Sequence, residues 1–229
     1  MNNTEHFGVL GEDEVVFGAT EQQELTRFVA KLKKRWPIYR GFNQGADKRF
    51  WYACIIVSLL RTWFSIYGKT SETDFSDLMY KLCDHLEKKG VWSPNYGGYI
   101  SAIGEEFVKY MNSHYSEKVW FTRVKDGSSA MGGCIDRNIP VITAYFSGTN
   151  YNRLKADGTI TELESADATK GSYGHCVTFT GRGPMWVYRE VQDNYEGRDG
   201  NTYKIYAFNI LKRATWQTSA FYLLLPDEK

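Results

Sequence analysis

No sign of charge dominates this chain of 229 residues: 28 Lys and Arg stand against 27 Asp and Glu, a formal net charge of +1. A protein that works by neutralising phosphates needs an excess of cations, so the balance argues against nucleic acid as the partner. Cysteine is sparse, with four residues at 54, 83, 134 and 176, and no Cys-x-x-Cys pair. Only four His are present to complete a metal set, and the one adjacent pair is His175-Cys176. Neither a structural zinc nor any other metal is expected, and a chain of this length needs no disulfide framework, so the cysteines are read as four thiols. Long hydrophobic runs are also missing. The longest, Phe50 to Leu60, falls well short of the roughly 20 residues that span a bilayer. Met1 to His6 has neither a basic n-region nor an apolar h-region, so no secretory signal is expected. The reading is a protein soluble where it is made: cytoplasmic by default, or released or virion-associated if it derives from phage.

What is present describes a folded chain. Hydrophobic residues make up 42% and charged residues 24%, a balance that excludes wholesale disorder. A chain of this length can bury roughly 70–75% of the surface its unfolded form exposes, in one domain or two small ones. Aromatics reach 16%, which suits a rigid core or an aromatic-lined groove, with the core preferred.

The pattern of elements changes along the chain. Residues 1–19 look like an irregular arm. Thr20-Glu21-Gln22-Gln23 is a capping box, followed by Leu25, Phe28, Val29, Leu32 and Trp36 at helical spacing, with Pro37 as the stop. Residues 41–48 form a loop. From about Trp51 to Phe64 the chain is almost wholly apolar, with Arg61 as its one charge, which predicts a buried central helix. Thr73 can cap a second helix, with Phe75, Leu78, Met79, Leu82 and Leu86 as its stripe and Gly90 as its end. A third is expected from about Tyr99 to Met111, and a short one from about Ser128 to Arg137. Strands then take over: 140–146, a polar hairpin or excursion over 147–171, 175–181, 185–191, 203–208 and 219–225. Helices first and strands second is an α+β order. No repeat or low-complexity linker interrupts it.

Three features carry chemistry. Cys54 sits in the apolar helix, with Asn43-Gln44 before it and Ser58-Leu59 after it. Gly174-His175 opens a strand. Gln192-Asp193-Asn194 closes the next strand, and antiparallel pairing can bring Asp193 beside His175. A thiol is nucleophilic as its anion, which an imidazole and a helix N-terminus both favour. A carboxylate or amide on the other ring nitrogen fixes the imidazole's tautomer, and a side-chain amide such as Gln44 can stabilise an oxyanion. Each residue also has a plainer role: Cys54 as core, His175 as a satisfied strand histidine, Asp193 as a turn residue with Asn194 orienting instead, and Gln44 as a solvated loop side chain. Cys83, Cys134 and Cys176 read as core. His6, His85 and His114 read as surface or helix residues with no visible partner.

The ordered set resembles the papain-like cysteine peptidases, and is most similar to the bacterial branch related to the double-glycine leader peptidases of bacteriocin exporters. The matching pieces are Gln44, Cys54-Ile55-Ile56-Val57-Ser58-Leu59, Tyr67-Gly68, Asn138-Ile139-Pro140-Val141-Ile142, Gly174-His175-Cys176-Val177-Thr178-Phe179-Thr180-Gly181, and Asp193. They span roughly residues 40–200. The resemblance implies an α+β papain-like domain over 37–229, after an N-terminal arm and helical extension over 1–36. A helical half with a central helix would pack on a C-terminal antiparallel sheet. It implies thiol-dependent hydrolysis of peptide bonds with Cys54 as nucleophile, His175 as base, Asp193 as orienter and Gln44 in the oxyanion hole. No cofactor is implied. The substrate would be a peptide or protein, or a peptidoglycan stem peptide if the chain is a phage-derived cross-link hydrolase. The chain departs from the family at Ile55-Ile56, where small or polar residues are usual, and in the ten positions between Gln44 and Cys54. An ungapped alignment puts Phe50-Trp51 at the nucleophile position. It would start the helix near Asp47, sink Cys54 into the core and leave an inactive peptide-binding module.

Overall fold

The structure is a computed structural model that describes residues 42, 44–124, 141–146, 151–155, 160–164, 174–182, 188–192, 202–207 and 221–226. The expected helices over 20–36 and 128–137, the arm over 1–19, and Cys134, His6, Asp193 and Asn194 lie outside the described residues.

Two 3-10 turns, Gln44–Ala46 and Lys48–Phe50, lead into helix α1, Cys54–Ile66. Helix α2 is Glu72–Lys88 and helix α3 is Ile100–His114. Between α2 and α3 lies a small ladder of β1, Trp92–Ser93, and β2, Gly97–Gly98. The remaining strands are β3 (Val119–Val124), β4 (Val141–Phe146), β5 (Tyr151–Lys155), β6 (Ile160–Glu164), β7 (Gly174–Arg182), β8 (Tyr188–Gln192), β9 (Thr202–Ala207) and β10 (Phe221–Pro226). They form one eight-stranded sheet in the order β3-β10-β4-β7-β8-β9-β5-β6, with every pair antiparallel. The fold is α+β, with α1 as a central helix packed against β7 and β10, α3 against β3, and α2 behind α1 and α3.

The stripe of α2 behaves as its spacing predicts: Phe75, Leu78, Met79, Leu82 and Leu86 are all buried. Its cap differs from the expectation. Ser71, not Thr73, accepts the Asp74 N–H at 3.2 Å, and the helix gains two residues at its start. Both α1 and α2 end in the same way. Gly68 and Gly90 take φ of +62° and +69°. Lys69 N–H then reaches the Phe64 carbonyl at 2.9 Å, and Val91 N–H the Leu86 carbonyl at 3.1 Å, which is the Schellman pattern. Two elements were not expected at all, the β1–β2 ladder and the edge strand β3. The polar region over 147–171 does contain a hairpin, β5 paired with β6.

The core lies between α1, α2, α3 and the β3-β10-β4-β7 part of the sheet. Trp63, Phe64, Phe75, Phe107, Ile56 and Leu59 are its largest fully buried side chains. At Gly104 on α3 an added Cβ would fall 2.4 Å from the Phe121 ring. That close approach seats the helix on β3, while Phe121 stacks on Tyr222 of β10 at 5.1 Å.

Candidate active site

The site is built where α1 begins. Asp47 N-caps the second 3-10 turn by accepting the Arg49 N–H at 2.8 Å. Its other oxygen accepts the Tyr80 hydroxyl at 2.7 Å, tying this loop to α2. The Tyr80 hydrogen bond, then the Arg49 N–H, lowers the Asp47 carboxyl below its ordinary range, and the same bond raises the Tyr80 phenol. Phe50 is buried against Phe42 and Tyr80, with ring centroids 5.5 and 4.8 Å away. The chain then makes one more turn, through Trp51 and Tyr52, before α1 opens at Cys54. Ala53 stands at the N-cap and supplies no side-chain cap. The loop therefore combines features of both alignments. Asp47 does cap a helical turn, but that turn is 3-10 and ends at Phe50, and the α-helix starts with Cys54.

Cys54 is half-buried in the first turn of α1. Trp51 and Tyr52 beside it are exposed. The Tyr52 carbonyl accepts the Trp92 indole N–H at 2.9 Å, and Gly97, at φ +77°, brings the β1–β2 ladder against the same carbonyl. Tyr96 and Tyr99, flanking β2, are among the most exposed large side chains described. Gln44 is fully buried, which its loop position did not suggest. Its amide Nε2 donates to the Trp51 carbonyl at 2.9 Å. That ties Gln44 to the backbone three residues upstream of the thiol. Phe42, two residues before Gln44, is held through its carbonyl by the buried guanidinium of Arg61 at 2.7 Å.

Ser58 of α1 makes polar contacts with β7. The Thr178 hydroxyl donates to the Ser58 carbonyl at 3.4 Å. The Cys176 thiol is held well above its ordinary range, first by burial and then by the neighbouring Cys54, while a hydrogen bond from Ser58 opposes both. Ser58 thus meets both Cys176 and Thr178, and Cys176 also feels Cys54. One helical turn from Ser58 back to Cys54 is about 6 Å along the axis. Two strand residues from Thr178 back to Cys176 cover about 6.6 Å. The two steps are of similar length, and the path from Thr178 back to Cys176 runs from Ser58 toward Cys54. The start of β7 therefore lies at the Cys54 end of α1.

His175 is the residue before Cys176, and its backbone pairs with Tyr145 near the end of β4. On the other side, Gln192, the last residue of β8, pairs with Thr178. The start of β7 and the end of β4 lie together at the end of the sheet where α1 begins, while β8 ends opposite Thr178, midway along β7. The structure thus collects Gln44, Cys54 and the His175 backbone at one end of the molecule.

The remaining titratable groups lie elsewhere. Cys83 is buried on α2, and burial pushes its thiol up to about 12. His85 does have a partner, contrary to the expectation: its Nε2 lies 2.9 Å from Glu106 of α3. Its ring packs on Tyr110 at 4.8 Å, and Tyr110 stacks on His114 at 4.3 Å. The His85 contacts join residues on two different helices, a distance at which local spacing gives no signal. Among the described residues no group of His, Cys, Asp and Glu is placed to hold a metal ion, and no helix is long and apolar enough to cross a membrane.

No family model and no curated protein matches the chain. Among solved structures it is similar to a crystal structure of a "putative C39-like peptidase from Bacillus anthracis", at 13% identity and a TM-score of 0.38. The match covers 58% of this chain and 62% of that one, so the chain spans less than two thirds of it.

Proposed function

We propose that the protein is a papain-like cysteine peptidase whose nucleophile is Cys54. The observation that carries this reading is the start of α1 at Cys54, at the end of the sheet where β7 begins with Gly174-His175. Cys54 is half-buried there while Cys83 and Cys176 are sealed in the core. A nucleophile must be reachable, and a structural thiol need not be. Phe50, turned against Phe42 and Tyr80, supports this reading over an inactive module in which Phe50 takes the nucleophile position.

The steps follow from the roles. His175 takes the Cys54 proton as the sulfur attacks the peptide carbonyl, and returns it to the leaving amine. Water then attacks the acyl-enzyme, with His175 again as base. The developing oxyanion is met by the side-chain amide of Gln44 and the backbone N–H of Cys54 at the positive end of the helix. Asp193 follows the end of β8 and orients the imidazole. The substrate is a peptide, peptidoglycan stem peptides included, and Trp51, Tyr52, Tyr96 and Tyr99 give its side chains apolar surface near the thiol.

The test is hydrolysis of a mixed peptide library by the purified chain, read by mass spectrometry, with Cys54→Ala and His175→Ala alongside. Each variant should lose about a thousandfold or more in rate while keeping its fold by circular dichroism. Cleavage that persists in Cys54→Ala would move the chemistry elsewhere.

A further inference from the structure

We propose that Asp47 and Tyr80 are positioning residues for Cys54 and Gln44: the bond between them fixes the loop that carries Gln44 and opens α1. The role rests on the peptidase reading, because it acts through the groups that reading assigns. Asp47 does more than cap its turn. A cap needs one oxygen, and Oδ1 supplies it to the Arg49 N–H at 2.8 Å. The other oxygen, Oδ2, accepts the Tyr80 hydroxyl at 2.7 Å, from a residue 33 positions away on α2. Two neighbours of Asp47 reach the same face of α2. Arg49 pairs with Asp84, one helical turn beyond Tyr80, and its guanidinium lies 5.8 Å from the Tyr80 ring centroid. Phe50 packs on that ring at 4.8 Å.

Direct bonds carry this anchorage to the site. Phe50 N–H donates to the Asp47 carbonyl at 3.0 Å, and Ala53 N–H to the Phe50 carbonyl at 2.9 Å. The Ala53 carbonyl then accepts the Val57 N–H at 2.9 Å, the bond that closes the first turn of α1. A branch leaves at Trp51, whose carbonyl holds the Gln44 amide at 2.9 Å. The helix start needs such a hold. Ala53 at the N-cap makes no side-chain bond, and alanine there forgoes what Ser, Thr, Asp or Asn would contribute. With the turn anchored to α2, the Gln44 amide and the Cys54 N–H keep a fixed spacing. Both are donors to an oxyanion that exists only along the reaction, so their misplacement slows turnover and leaves substrate binding alone. Trp92 still holds the Tyr52 carbonyl at 2.9 Å, so losing the Asp47–Tyr80 bond should cost about tenfold in turnover rather than abolish it.

The experiment measures kcat and KM on a library peptide that the full chain cleaves, in wild-type protein, Tyr80→Phe, Asp47→Ser and the double variant. Tyr80→Phe keeps the ring and removes the hydroxyl. Asp47→Ser keeps a capping oxygen for Arg49 and lacks the second oxygen that meets Tyr80. Each should lower kcat about tenfold and leave KM within about twofold. The double variant should also lose about tenfold in all, not a hundredfold, because both changes break one bond. Hydrogen exchange of the same proteins adds a readout without turnover: the peptide over 44–53 should exchange about tenfold faster in each variant, with α2 unchanged. Unchanged exchange, faster exchange with wild-type kcat, or multiplied losses in the double variant overturn the proposal. A wild-type chain that cleaves no peptide sinks the peptidase reading and this role with it. Cleavage that is lost in Cys54→Ala but unchanged in these variants sinks the positioning role alone.

Discussion

The two ends of α1 are built from different materials. At its C-terminal end Trp63 and Phe64 are fully buried, with Phe64 edge-on to Phe75 at 5.0 Å. The Trp63 ring also lies under the Lys69 ammonium at 4.7 Å, and Lys69 pairs with Glu117 at 2.7 Å. The hydroxyl of Tyr67 donates to the Lys118 carbonyl, so this end is fastened to the start of β3. At the N-terminal end Ile56 and Val57 are also buried, but Cys54 is half-buried, the N-cap is an alanine, and Trp51 and Tyr52 face solvent. One helix thus anchors with its aromatic end and presents a thiol with its other end.

The largest expected effect breaks the anchored end. Phe64→Ala should cost about 3–5 kcal/mol, the usual loss for a buried aromatic, whereas Cys54→Ala should cost about 1 kcal/mol or less. Urea unfolding midpoints of the two variants compare them directly, and similar values would erase the contrast. Next, Gly104→Ala forces a methyl into the Phe121 ring and should cost about 1–3 kcal/mol, seen as a lower melting temperature.

The Lys69–Glu117 pair adds a smaller, pH-dependent term. The Lys69 ammonium first, then the Ser116 hydroxyl, holds the Glu117 carboxyl down to about 2 from an ordinary 4.5. A depressed carboxylate stabilises the fold fully above its unfolded value and loses that contribution as pH falls from about 4.5 through about 2. Both side chains are about 30% exposed, so the pair is worth about 1 kcal/mol after screening. Glu117→Gln should therefore be less stable than the wild type at pH 7 and equal to it near pH 2, by thermal melts across that range. The smallest effect belongs to the open end: Trp51→Ala should change stability by no more than about 0.5 kcal/mol, while raising KM for any peptide that uses this surface.

The sequence announced those parts of the fold whose cause is local. The α2 stripe follows from helical period alone. Gly68 and Gly90 mark helix ends because only a residue without Cβ adopts their φ cheaply. For the same reason Tyr67-Gly68 is explained by helix termination and adds little to a family resemblance. The Ser71 cap was misplaced because Ser71 and Thr73 both precede the apolar stripe, and only the bond to Asp74 separates them. Strand β3 escaped notice because Val119-Trp120-Phe121-Thr122 carries large side chains on both faces: Val119 is buried and Trp120 exposed, an alternation that aromatic bulk hides. The candidate site was read from the sequence as a set of residue types in order, of which the structure describes Gln44, Cys54 and the His175 backbone. What no local pattern conveyed was the burial of Gln44, fixed by the Trp51 carbonyl, or the bond that joins Thr178 to Ser58 across 120 positions.

The central claim is that His175 activates the thiol at the start of α1. Its most direct measurement is the rate of iodoacetamide alkylation of each cysteine at pH 5.5, by peptide mapping, in wild-type protein and in His175→Ala. The account predicts that Cys54 reacts well ahead of Cys83 and Cys176, and that His175→Ala slows it by about tenfold or more. A Cys54 that reacts at the same rate with and without the imidazole, or no faster than the buried cysteines, would contradict it.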